Sequence, residues 1–166
     1  MAEGLDLSGA TALAGLTPRD VDELERVAVL QDYDTDAAIF TEGEAAYGMC
    51  IVLAGRVVLR STLGAEQVDV GEATTGDLIG WSGLVPPHDF TATAVAAEPT
   101  RIVVLKADDL ARLSEEDQYL GRILMRNVAS IISARLREAH TQSAELIQQL
   151  RDYVPSGKAL HSRRTD

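Results

Sequence analysis

The chain has little with which to do covalent or metal chemistry. It has one cysteine in 166 residues, Cys50, so an internal disulfide and a zinc ligand pair are both excluded. Cys50 lies in the apolar run "MCIVLAG" and reads as a small core residue rather than a nucleophile. The histidines, His88, His140 and His161, are far apart in sequence and make no metal set. Asp32, Asp34 and Asp36 alternate like the start of a calcium loop, but that loop's glycine and closing glutamate are missing, so a solvated turn is expected. There is no phosphate-binding P-loop, no G-x-S-x-G and no dinucleotide fingerprint. An enzyme is therefore not expected.

Positive charge is also scarce. Fifteen Lys and Arg stand against 26 Asp and Glu, a formal net charge of −11. Such a surface repels phosphate backbones and anionic lipid heads, so neither direct DNA binding nor membrane binding is expected. No apolar run approaches the ~18 residues of a membrane span. The start, "MAEGLDLSGATALAGL", lacks a basic leader segment, which makes the cytoplasm the expected location. Aromatic residues are only 4%, with two Phe and one Trp.

What is present is a clear change of pattern along the chain. Residues 1–15 are small and polar and are expected to be loose. "LTPRDVDELERVAVL" then reads as a short helix, with Thr17 as N-cap, Pro18 at the first position and Asp20 closing a capping box. From Gln31 to Leu105 come short runs rich in Val, Ile, Thr and Phe, separated by Glu42-Gly43, Ala54-Gly55, Leu63-Gly64, Thr75-Gly76 and Glu98-Pro99. That spacing argues for an antiparallel sandwich or barrel. The expected division is a β-domain over 16–114, a long helix over 115–153 with Ser114 as its N-cap, and a disordered tail over 154–166.

The long helix carries a second signal. Met125, Ala129, Ile132, Leu136, Ala139, Ser143, Leu146, Leu150 and Tyr153 recur at alternating spacings of four and three. That is the 3.5-residue seam of a coiled coil. Leu120, Ile123, Leu124, Val128 and Ile131 make another apolar face at the helix start. Two faces want two surfaces, the β-domain and a second copy of the helix. A homodimer through residues of about 125–153 is expected; the alternative is one long amphipathic helix folded back on a monomer, and a separate protein partner is the other partner class.

These elements together resemble the cyclic-nucleotide-binding domain of the catabolite activator proteins. The resemblance rests on "IFTEGEAAYGMCIVLAGRVVL" (39–59), "GDLIGWSGLV" (76–85) and "TATAVAAEPTRIVVL" (91–105), whose glycines at 43, 48, 55, 76 and 80 fall where that fold turns. It covers about residues 16–140. It implies a mainly β fold, an antiparallel β-roll (a double-stranded jelly roll) with flanking helices and a long C-terminal dimerisation helix. It also implies a ligand, a cyclic nucleotide or another small molecule, inside the roll. The family's transcription factors continue into a helix-turn-helix domain, for which the residues after Tyr153 are too few.

In the family, the segment after "GDLIG" is a phosphate-binding cassette. A short helix turns its backbone N–H groups to the cyclic phosphate, an arginine neutralises it, and a glutamate accepts from the ribose. Here the glutamate position is Trp81 and the arginine position is Phe90, while Thr91 keeps the neighbouring hydroxyl. Gly80, Ser82, Gly83 and Leu84 retain the backbone device, and Thr93 adds a second hydroxyl. No Lys or Arg stands between Arg60 and Arg101 to compensate. Losing an enclosed Arg–phosphate pair costs about 2–5 kcal/mol. Three readings follow. The rings line a pocket for a different, less charged ligand, which is the preferred expectation. The rings fill the pocket, leaving a dimerisation or docking module. Or a nucleotide is held by backbone groups and stacked on Trp81.

Overall fold

Sequence periodicity and turn residues become two four-stranded sheets. The computed structural model describes residues 5–153, so the tail expected over 154–166 lies outside the described residues. Thr17 and Asp20 close the capping box as read from the sequence: Thr17 Oγ1 accepts from the Asp20 amide at 3.3 Å, and the Thr17 amide donates to Asp20 Oδ2 at 2.8 Å. The helix they start, α1, runs Pro18–Val27 and buries Leu24. Eight strands follow: β1 (Val29–Tyr33), β2 (Ala38–Phe40), β3 (Gly48–Ala54), β4 (Arg56–Leu63), β5 (Glu66–Thr74), β6 (Leu78–Ile79), β7 (Thr93–Ala96) and β8 (Thr100–Lys106). One sheet has the order β1-β8-β3-β6 and the other β2-β7-β4-β5, with every pairing antiparallel.

The strand β3 explains the layering. Side chains alternate across a strand. Cys50 and Val52 enter the cluster between the sheets, with Ile39, Phe40, Val57, Ile79, Phe90, Ala94, Ile102 and Val104. Met49 and Ile51 are equally buried but on the opposite face, the side where α1 and α2 (Ala107–Glu116) lie against β8 and α2 also meets β3. A strand covered on both faces needs a continuous apolar run, and "GMCIVLA" supplies it.

Two expectations change. The N-terminal segment is not loose from Leu7 onward. Leu7, Ala12 and Leu13 are buried, and Thr11–Leu13 forms a 3-10 turn. The segment is tied down by hydrogen bonds from the Thr11 amide to Gly76 O (3.1 Å), from the Leu7 amide to Glu25 Oε1 (3.2 Å), and from Asn127 Nδ2 to Ala12 O (3.0 Å) and Ala14 O (2.7 Å). Ser114 is not an N-cap. It lies inside α2, its hydroxyl donating to Leu110 O at 2.7 Å. The chain breaks at Asp117 instead, whose Oδ1 accepts from the Tyr119 and Leu120 amides at 2.9 and 3.1 Å. The long helix α3 is thus Gln118–Tyr153. Gly121 lets it leave α2, because a Cβ there would stand 2.7 Å from Ser114 Cβ.

The chain divides into two units, Met1–Ile131 and Ile132–Asp166. In the first, Leu120, Ile123, Leu124 and Val128 of α3 are buried, the face the sequence marks for the β-domain. In the second, Leu136, Leu146 and Leu150 are 55%, 60% and 63% exposed. Among the described residues no helix is long and apolar enough to cross a membrane, and no group of His, Cys, Asp and Glu could hold a metal ion.

Candidate functional site

The cassette begins where β6 ends. Gly80 adopts φ 71°, a left-handed conformation that L side chains resist, and turns the chain into a 3-10 helix at Trp81–Leu84. That helix is pressed onto β3. A Cβ on Gly83 would stand 2.5 Å from Gly48 O and 2.8 Å from Gly48 N, so only glycine permits the approach. The Gly83 amide donates to Gly80 O at 3.1 Å. His88 Nδ1 lies 2.9 Å from Gly83 O, and the His88 amide donates to Val85 O, which folds the following loop back on the cassette. His88 is exposed, and its contact is with the backbone of its own loop.

Phe90, at the arginine position of the resemblance, is 2% exposed. Its amide donates to Glu44 O at 2.9 Å and its carbonyl accepts from the Gly43 amide at 2.8 Å, which hold its backbone against the 41–44 turn. The ring stacks on Phe40 with centroids 4.0 Å apart and planes 8° apart. Tyr47 meets the same ring edge-on at 5.3 Å and 78°. Close beneath lies Gly80, where a Cβ would come within 3.2 Å of Phe90 Cε1 and 3.4 Å of Phe40 Cε1. The Phe40 and Phe90 rings thus pack directly against the start of the cassette. Stacked and edge-on ring pairs add about 0.5–1.5 kcal/mol each beyond the area they bury.

The expected site residues do not all converge. Gly80 and Phe90 are brought together. Trp81 and Ser82 sit half-buried in the 3-10 helix with Leu84, and the ring partners of Phe90 are Phe40 and Tyr47, not Trp81. Thr91 is exposed. Thr93 is buried, but its hydroxyl accepts from the Glu42 amide at 3.0 Å. Glu42 in turn accepts from the Thr62 amide (2.7 Å) and the Ser61 hydroxyl (3.1 Å). These bonds, that from the Thr62 amide first, hold its carboxyl below the usual carboxylate range. The Glu42 carboxylate is thus tied to β4, while Arg60 is engaged with Asp69 at 2.9 Å and Arg101 with Asp32 at 2.7 Å.

Phe40 and Tyr47 lie outside the residues that the sequence marks for the site, although one signal points to Phe40: the chain has only two phenylalanines, and they are the two rings of the stack. Cys50 is buried as expected, and that burial pushes its thiol up to about 12, far from a reactive thiolate. Burial likewise raises the Tyr47 hydroxyl well above the usual phenol range.

Comparison with known proteins agrees with this architecture. The family model for the cyclic nucleotide-binding domain matches residues 30–117. The cyclic AMP receptor protein of Thermus thermophilus is 28% identical over 134 residues, which are 80% of this chain and 60% of that protein. The chain therefore spans less than two thirds of that relative's length. The crystal structure of the Thermus thermophilus catabolite activator protein superposes with a TM-score of 0.71 at 26% identity, covering 82% of this chain and 63% of that one. A cyclic nucleotide-binding domain from Methylobacillus flagellatus shares the fold with a TM-score of 0.72 at 22% identity, over 76% of this chain and 71% of that one.

Proposed function

This chain belongs to the cyclic nucleotide-binding domain family, and from that premise we propose that it is a non-catalytic regulatory module that dimerises through α3 and keeps its roll closed with its own aromatic rings. The observation that carries the reading is the Phe40–Phe90 stack at 4.0 Å, with Phe90 at the position of the family's phosphate-neutralising arginine. A cyclic phosphate entering there would meet two rings instead of a cation. Burying an anion without a partner costs several kcal/mol. Binding of cyclic AMP in the usual way is disfavoured on those grounds.

A different small ligand in the roll would need polar partners such as the hydroxyls of "FTATA". With the Thr93 hydroxyl engaged by Glu42 and Thr91 exposed, those groups have other work or face solvent. The ligand-independent reading is therefore the better supported one. In it, the output is set by what pairs with the helix seam. A homodimer fits best because the apolar positions repeat every 3.5 residues, the period at which two identical helices interlock.

Sedimentation velocity tests both halves together. We expect a dimer at micromolar concentration whose sedimentation coefficient and dissociation constant do not change in millimolar cyclic AMP. A monomer under these conditions would remove the dimer. A shift on adding the nucleotide would remove the closed roll.

A further inference from the structure

A cavity lies away from the cassette, on the outer side of the β1-β8-β3-β6 sheet. It has a volume of about 320 Å³ and is lined by Asp6, Gly9, Ile51, Leu53, Gly76 and Arg101, among others. Its floor follows from strand alternation. Val52 points into the roll, so Ile51 points to this side, and Leu53, at the bulge where β3 slips against β8, lines the same cavity. The N-terminal segment forms one wall and the β5–β6 turn another, and they are joined by the Thr11 amide bond to Gly76 O.

The rim carries one charge of each sign. Arg101 is held by Asp32 through two bonds, Nε to Oδ1 at 2.7 Å and Nη2 to Oδ2 at 3.1 Å. A guanidinium has five N–H donors in a rigid fork, so this grip sets its plane and leaves three donors for another acceptor. Asp6 is fixed by Ser8, whose amide (2.9 Å) and hydroxyl (2.6 Å) both donate to Oδ1. The Ser8 bonds keep the Asp6 carboxyl below its usual range, so it stays ionised through the neutral region. An apolar floor with a carboxylate at one place on its rim and an oriented guanidinium at another matches one small-molecule pattern: an ammonium and a carboxylate joined to a short hydrocarbon.

We propose that this cavity is a binding site for a small zwitterion with an apolar side chain, of the class of free aliphatic amino acids. Its ammonium meets Asp6, its carboxylate meets Arg101, and its side chain lies on Ile51 and Leu53. Because Gly76 and Thr75 line the cavity and lead through β6 into the cassette, occupancy clamps the N-terminal segment to the turn that positions Gly80. This site is independent of whether the roll is closed.

The test uses L-leucine as probe with the full chain, in isothermal calorimetry and in amide spectra that resolve Gly9 and Gly76. We expect saturable binding with shifts at those two amides. Isocaproate, which lacks the ammonium, and isoamylamine, which lacks the carboxylate, should each bind about tenfold more weakly or worse, the loss of one charge-assisted contact. Arg101→Gln and Asp6→Asn should weaken L-leucine to a similar extent, while Leu53→Trp, which fills the floor, should abolish binding. Thermal unfolding checks that each variant is folded. The proposal is overturned if L-leucine gives neither heat nor shifts at tens of millimolar. It is equally overturned if the single-charge analogues bind as well, or if binding survives in the folded Arg101→Gln and Asp6→Asn variants.

Discussion

Replacing Phe90 by alanine should cost the protein about 3–5 kcal/mol, the usual price for deleting a buried phenyl ring. Three losses add. The burial of the ring goes, since it is 2% exposed. The stack on Phe40 and the edge contact with Tyr47 go with it. The cavity left behind opens beneath Gly80, whose Cα sits within a methyl's reach of both phenyl rings and has no side chain to collapse inward. A domain of this size is stable by about 5–15 kcal/mol in all, so the change removes a large share. Urea unfolding at equilibrium reads it as a lower midpoint. Phe90→Leu keeps most of the apolar volume and should cost about half as much or less. Thr91→Ala, one residue on and exposed, should stay within about 0.5 kcal/mol of the parent. If Phe90→Ala were as mild as Thr91→Ala, the ring would not be part of the core and the closed roll would have no basis.

The second large effect concerns the seam. Leu146 and Leu150 are 60% and 63% exposed, so in a monomer their replacement by glutamate would be nearly neutral. In a parallel dimer the same two substitutions place four carboxylates in an apolar seam and remove four leucines from it. Each buried leucine is worth about 2 kcal/mol or more. The paired variant Leu146→Glu, Leu150→Glu should therefore weaken dimerisation by at least about a hundredfold, since every 1.4 kcal/mol is a factor of ten. Sedimentation equilibrium measures it. Circular dichroism gives a second reading, because most helical stability in proteins comes from packing of an apolar face, which the exposed half of α3 would lose. Helical signal should fall on dissociation, while the unfolding of the β-domain stays in place, its core residues being elsewhere. Unchanged dimerisation in the paired variant would move the interface off this seam.

The residues explain which parts of this structure can be read ahead. Thr17, Pro18 and Asp20 act within one helical turn, and their capping box forms as the spacing requires. The connection from β3 to β4 is legible because Gly55 interrupts an otherwise continuous apolar run, and there the chain passes from one sheet to the other. The buried half of α3 is legible because Leu120, Leu124 and Val128 share one helical face. Local composition misleads where long-range bonds decide. Leu7 and Leu13 stand among small and polar residues, yet Glu25, Gly76 and Asn127 fix that segment from three other elements. Ser114 and Asp117 both suit an N-cap. The difference between them is Gly121, which allows α3 to cross Ser114 closely and leaves the break at Asp117. At the site, Phe90 was legible as a substitution for a cation, but its partners were not. Phe40 is fifty residues earlier in sequence, and only the pairing of β2 with β7 brings it beneath the cassette.

A calorimetric titration of the purified chain with cyclic AMP, with the emission of its single tryptophan, Trp81, followed in parallel, goes to the centre of this account. A roll closed by Phe40 and Phe90 predicts no heat and no change in Trp81 emission up to millimolar nucleotide. Saturable one-to-one binding at micromolar concentration would contradict it, because the rings would then have to leave the space they are described as filling.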